Sequence, residues 1–168
     1  MRKGKLMFKK VALGSLVALV LTNATYAQER EQGWGLFFNR DTFDGTVFPV
    51  AMMAEEGESF SKANVGVACG DGGSLVPFIR PPHLYVDPGS YSVEFKSGPA
   101  LRKFTFTAGD VPRLGKQLSL QAEEAKALLD LFANAAEPVA YRTERQQGRF
   151  SPIAARQVFD IVRASCPK

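Results

Sequence analysis

The chain has 168 residues, 45% hydrophobic and 23% charged, with 21 Lys and Arg against 17 Asp and Glu, and a formal net charge of +4. Its length suits one domain with a sizeable core. One histidine and two cysteines leave a zinc site almost no ligands to draw on.

The chain order begins with an export pattern. Arg2, Lys3, Lys5, Lys9 and Lys10 precede a nearly uninterrupted apolar run from Val11 to Leu21, and Thr25-Tyr26-Ala27 then leads into charged Gln28-Glu29-Arg30-Glu31. A basic end, an apolar core too short to span a bilayer and a small residue at the cut define a secretory signal peptide, residues 1–27, with cleavage after Ala27. A start at Met7 would keep Lys9 and Lys10 as the basic end. No cysteine lies near the cut, so a lipid anchor is not expected, and no second hydrophobic span follows it. A soluble exported product is expected, in the periplasm first and the medium second. Signal removal takes away five positive charges and no acids, which leaves 16 basic and 17 acidic side chains and a net charge of −1. A nucleic-acid partner inferred from overall basicity would therefore be an artefact.

Residues 28–168 read as a single α+β domain. Trp34–Phe38 and Val47–Met53 flank Asp44-Gly45, a hairpin-turn dipeptide. Val65, Val67 and Cys69 share one face of a strand, and Asp71-Gly72-Gly73 turns the chain into Leu75–Ile79. Asp87-Pro88-Gly89 separates Leu84–Val86 from the alternating Tyr91–Phe95, and Gly98-Pro99 leads into Lys103–Thr107. From Ser119 the period lengthens: Ala122, Ala125, Leu128, Leu129 and Phe132 fall on one helical face, with Glu123 and Glu124 in the first turn, where the helix dipole favours acids. Pro138 ends that helix before an extended piece, Val139–Arg142. Ser151-Pro152 predicts a second helix start, a side-chain cap followed by proline at the first helical position. Its apolar stripe, Ala155, Val158, Phe159 and Val162, continues to Cys166. The expected architecture is an antiparallel β-meander or sandwich-like sheet with two helices added from the C-terminal side.

The residues that look most chemical sit in Val65–Phe78, where Cys69 precedes Gly70-Asp71-Gly72-Gly73. As a nucleophile Cys69 would need a base, and His83 is the sole histidine. The competing account uses both cysteines, each on an apolar face, as a Cys69–Cys166 disulfide suited to an oxidising compartment. The glycine run lacks the Lys-Ser/Thr of a phosphate loop, and a strand rather than a helix follows it. No catalytic residue, metal site or cofactor is expected. Carboxylates able to serve glycan hydrolysis exist in Asp41 and Asp44 and in Glu55, Glu56 and Glu58, but their surroundings read as solvated turns. Phe37, Phe38, Phe43 and Phe48 flank one hairpin, and an exposed aromatic patch there would be a partner surface. The densest basic segment carries Arg142, Arg145 and Arg149, with Arg156 on the following helix, a second candidate surface for an acidic protein.

The early Trp34 strand, the strand closing on Cys69 with a turn through Gly73, and the terminal run from Phe150 to Cys166 together resemble the VasI-like periplasmic proteins associated with type VI secretion. The resemblance implies a periplasmic accessory or interaction protein with no known active site. Two functional expectations follow: a non-enzymatic exported module that binds another envelope or secreted protein, and alternatively a small cell-wall or glycan-acting enzyme, or an inhibitor of one.

Overall fold

The computed structural model describes residues 33–58, 62–80 and 87–166. The signal segment, His83 and the expected Leu84–Val86 strand lie outside the described residues. In chain order the elements are β1 (Gly35–Arg40), β2 (Val47–Ala54), β3 (Asn64–Cys69), β4 (Leu75–Arg80), β5 (Ser90–Ser97), β6 (Ala100–Val111), β7 (Gly115–Ser119), α1 (Ala122–Ala133), β8 (Val139–Arg142), β9 (Gln147–Phe150) and α2 (Ala155–Ser165). The strands form one curled antiparallel sheet in the order β1-β2-β3-β4-β7-β6-β5-β8-β9. Asp71–Gly73 forms a single 3-10 turn between β3 and β4.

The sheet is two meanders joined in reverse. Strands β1 to β4 follow one another, but β4 then pairs with β7, through Phe78↔Ser119 and Ile79↔Leu118, so that β5 lies two strands further on. Alternation along a strand says which side chains share a face; it does not say which strand is the neighbour. Both β7 and β9 were absent from the sequence expectation, because Lys116-Gln117 and Gln147-Gly148-Arg149 carry little apolar signal and are held by pairing with β6 and β8.

Both helices pack on the inner face of the sheet. Alternate residues of the strands, among them Met53, Val65, Val67, Phe95, Phe104 and Phe106, meet Leu128 and Phe132 of α1 and Val158, Phe159 and Val162 of α2. Trp34 is the hinge of this core: its ring lies edge-on to Phe132 at 5.2 Å and to Phe159 at 4.7 Å. Such edge-to-face pairs contribute about 0.5–1.5 kcal/mol each beyond the area they bury. The core face of α1 is the expected one at Ala125, Leu128, Leu129 and Phe132, joined by Leu131, whereas Ala122 at the start of the helix is exposed.

The start of α2 corrects the sequence expectation. Ser151 does not cap the helix; its Oγ accepts the N–H of Ile153 at 3.2 Å and closes a local turn. The helix begins at Ala155, after Ala154 in a left-handed conformation with φ of 64°. Proline fixes only its own φ, so the Ser-Pro pair set up a turn one step before the helix.

Cys69, at the end of β3, is bonded to Cys166, directly after α2, with Cα atoms 5.4 Å apart and a sequence separation of 97. The last helix is thereby tied to the middle of the first meander. A link of this kind persists in oxidising, extracytoplasmic surroundings. Among the described residues no helix is long and apolar enough to cross a membrane.

At one rim the curl brings the two ends of the sheet together. The N–H of Glu56, just beyond β2, donates to the carbonyl of Arg149 in β9 at 2.9 Å, and the N–H of Trp34 donates to Ile153 at 2.9 Å. Beneath this seam the Tyr141 hydroxyl donates to Glu55 Oε2 at 3.2 Å. Gly148 makes the approach possible, because a Cβ there would fall 1.8 Å from Glu55 Oε1. Burial, reinforced by the charge of Glu55 and the hydrogen bond to it, raises the Tyr141 hydroxyl well above its ordinary pKa of 10.0.

Candidate functional site

The outer face of the sheet carries a second, small core. Phe48, Val50, Ala68, Phe78 and Val111 are buried there, with Met52, Val76 and Leu114 packed against them. Phe78 lies flat across β3 because residue 66 is glycine: a Cβ at that position would stand 2.2 Å from the Phe78 ring. The hairpin joining β6 to β7 bends over this cluster and the hairpin joining β1 to β2 stands beside it. Between them opens a cleft of about 600 Å³, with Phe37, Phe48, Met52 and Leu114 supplying apolar walls.

Three arginines line the same cleft: Arg40 at the end of β1, Arg80 at the end of β4 and Arg113 in the β6–β7 turn. Arg80 is aimed by Gln117, its neighbour on β7, whose Oε1 accepts from Arg80 Nε at 3.2 Å. Gln117 is itself buried and fixed by a bond from its Nε2 to the carbonyl of Leu114 at 3.1 Å. Arg113 lies with its guanidinium 5.1 Å from the centre of the Phe48 ring and 4.0 Å from Asp41 Oδ2. Its backbone is left-handed, with φ of 64°, a conformation that costs a residue with a Cβ roughly 1–2 kcal/mol. That cost is met by a turn that folds the guanidinium back over the cleft. The one carboxylate in the lining, Asp41, leaves the cleft net positive.

The aromatic hairpin expected from sequence divides in two. Phe48 is buried under Arg113, whereas Phe37, Phe38 and Phe43 are 40%, 61% and 99% exposed, with Val47 exposed beside them. Asp41 and Asp44 shape the turn that carries this group. Asp41 Oδ1 accepts the N–H of Phe43 at 2.8 Å, and Asp44 Oδ1 accepts the N–H of Thr46 at 2.7 Å. Bonds from Thr46 hold the Asp44 carboxyl below its ordinary range. Glu55 takes the Tyr141 hydroxyl, and Glu56 lies 3.4 Å from Arg149 Nε. Asp44, Glu55 and Glu56 are occupied in the turn and in the seam of the sheet, and Asp41 alone of these reaches the cleft, where it faces Arg113.

The four arginines of the second candidate surface do not form one cluster. Arg142 pairs with Glu94 across the β5–β8 ladder and Arg149 with Glu56. Arg156 donates to the carbonyl of Ala133 and, at 2.6 Å, to Asn134 Oδ1, closing the C-terminal end of α1. Arg145 stands exposed in the turn between β8 and β9, where the Thr143 hydroxyl accepts its N–H. Cys69, engaged in its disulfide, has no thiolate to offer. Among the described residues no three His, Cys, Asp or Glu side chains group to hold a metal ion.

Arg40, Arg80 and Arg113 escaped the sequence reading. Each is a lone arginine at an element's end, and only the register that brings β4 to β7, and the turn that folds over β2, gathers them. For Arg40 and Arg80 the local signal was the first charge after an apolar run, a weak one. No family model, no curated protein and no solved structure matches this chain.

Proposed function

We propose that the chain is an exported, non-enzymatic module of the bacterial envelope, stapled by Cys69–Cys166, that holds another envelope or secreted protein against the outer face of its sheet. The carrying observation is the cleft between the two hairpins, with Arg40, Arg80 and Arg113 over apolar walls and half-exposed Phe37 among its lining, on the hairpin that also exposes Phe38 and Phe43. Aromatic and arginine side chains are the residue types that anchor protein interfaces. The export pattern in residues 1–27, the disulfide and the resemblance to VasI-like periplasmic proteins support a periplasmic setting.

Cross-linking in intact cells, followed by affinity capture of the oxidised protein, tests this. A discrete partner is expected, lost on combined Arg80→Glu and Arg113→Glu substitution; a persistently partner-free monomer would sink the proposal. Arg142, Arg145 and Arg149 on the β8–β9 hairpin form the second candidate row, favoured by the exposure of Arg145, with Arg156 apart on α2. Charge reversal at Arg145 and Arg149 separates the two: capture through the cleft survives it, and capture through the row does not.

A further inference from the structure

The sheet has two outer strands, and they are treated differently. The edge of β9 is engaged where Arg149 accepts the N–H of Glu56. On β1 the pairing alternates: the N–H of Asp41 donates to Thr46, which places the odd-numbered residues of the strand in hydrogen bonds with β2. The even-numbered residues, Trp34, Leu36, Phe38 and Arg40, then aim their N–H and C=O groups away from the sheet. Trp34 confirms the phase, since its N–H reaches out to Ile153. Leu36, Phe38 and Arg40 have no such backbone partner among the described residues. Among the described residues this edge has no proline or lysine and is covered only at Trp34, by Ile153, which leaves Leu36 to Arg40 as a template for another strand.

We infer that β1 receives an extended segment of the partner protein as a tenth strand, and that this segment alternates acidic with apolar side chains. The inference rests on the protein-binding reading above and specifies its mode. A strand added beside β1 would lie about 4.8 Å beyond it. One set of its side chains would stand next to Leu36, Phe38 and Val47, an apolar stretch of which Phe38 and Val47 are exposed. The other set would point toward the mouth of the cleft. There Arg113, already 4.0 Å from Asp41 just beyond β1, meets whatever charge arrives, with Arg80 deeper in the same cleft. Three arginines against one carboxylate select acids. A second copy of this chain would instead bring its own arginines to the same edge. Main-chain bonds would hold the segment and alternate side chains would set its identity, as in other cases of strand addition.

The test exploits the outward phase of Phe38. Phe38→Pro removes an N–H that β2 does not use, so β1 and β2 stay paired, whereas Phe38→Ala keeps the donor and loses only the ring. Arg113→Gly suits the left-handed backbone and deletes the cation. Random peptides displayed on phage are selected against the purified, oxidised protein, and recovered peptides are titrated against the three variants. Selected sequences should alternate acidic and apolar residues. Their binding should weaken about tenfold or more in Phe38→Pro and in Arg113→Gly, and stay closer to the parent in Phe38→Ala. Recovered peptides that bind Phe38→Pro and the parent equally well, or that show no acidic alternation, overturn the inference and leave the protein-binding reading standing. A concentration-dependent dimer abolished by Phe38→Pro names a second copy as the occupant and also overturns it. Failure to recover any peptide, together with absence of cross-linked partners in cells, defeats both.

Discussion

The two faces of the sheet are built from the same alternating strands, yet they have opposite economies. On the inner face both helices, the aromatic hinge at Trp34 and the disulfide converge on one large apolar core. On the outer face five buried residues are roofed by a hairpin, and next to them lies a cleft lined with arginines that the fold leaves open. The inner face fixes the shape. The outer face spends stability, in the left-handed backbone of Arg113 and the exposure of Phe37, on features that no core requires. Strain and exposure concentrated on one side of a well-packed scaffold mark the side that meets something else.

The sharpest way to break this comparison is to release the staple. Cys69 and Cys166 close a chain segment of 97 positions, for which the chain-entropy model gives about 4–5 kcal/mol of stabilisation. Serine at both positions should lower the urea midpoint by a corresponding margin, and the stable inner face should lose its advantage. A loss below about 1 kcal/mol would mean that α2 is held by packing alone. The next test strikes the outer face. Gly66→Ala places a methyl group against the Phe78 ring, and overpacking of this kind costs roughly 1–3 kcal/mol. Because Phe78 lies in the floor cluster beside the cleft, partner capture should fall along with stability. Capture unchanged at a clearly lowered midpoint would show that the floor and the cleft are independent.

How much of this was legible beforehand follows from the same division. The inner face could be read from sequence because burial leaves a periodic trace: Val65, Val67 and Cys69 on a strand, Leu128, Leu129 and Phe132 on a helix, and the stripe from Ala155 to Cys166 that pointed to the disulfide. The hairpin phenylalanines were also visible as a candidate surface. The cleft was not, because Arg40, Arg80 and Arg113 are far apart in sequence and meet through the β4–β7 pairing, which no periodicity encodes. Likewise β9 left no apolar pattern, and Glu55 gave no sign that it would reach Tyr141 through the space left by Gly148. The position of α2 was misjudged by local chemistry: Ser151-Pro152 is a turn signal as well as a cap, and the turn took it.

The seam between the ends of the sheet allows a finer test, through pH. Tyr141 has its pKa raised in the folded state, mainly by burial and then by Glu55. Below its ordinary value of 10.0 the hydroxyl is protonated in folded and unfolded chains alike. As pH rises past that point, the unfolded chain releases the proton first, so the unfolded state is favoured and stability falls. Tyr141→Phe should cost about 1 kcal/mol near neutrality, through the lost bond to Glu55. Above pH 10.0 its stability should decline less steeply than that of the parent. Parallel declines would mean that the seam opens before the protein unfolds, and that the rim is closed only weakly.

The smallest expected effect carries the most information about the hairpin that joins β1 to β2. Phe38 and Phe43 are 61% and 99% exposed, so replacing both with serine removes little buried surface. Substitutions at such positions change stability by no more than about 0.5 kcal/mol. Residues retained for folding would show a larger loss, and calorimetry of Phe38→Ser with Phe43→Ser would detect it. A loss near 2 kcal/mol would mean that the two rings serve the fold, and the contrast between the faces would then be one of degree. An unchanged melting temperature, combined with weakened capture of the partner, would separate the two roles within a single hairpin: Phe48 under Arg113 for the fold, and its two exposed neighbours for contact.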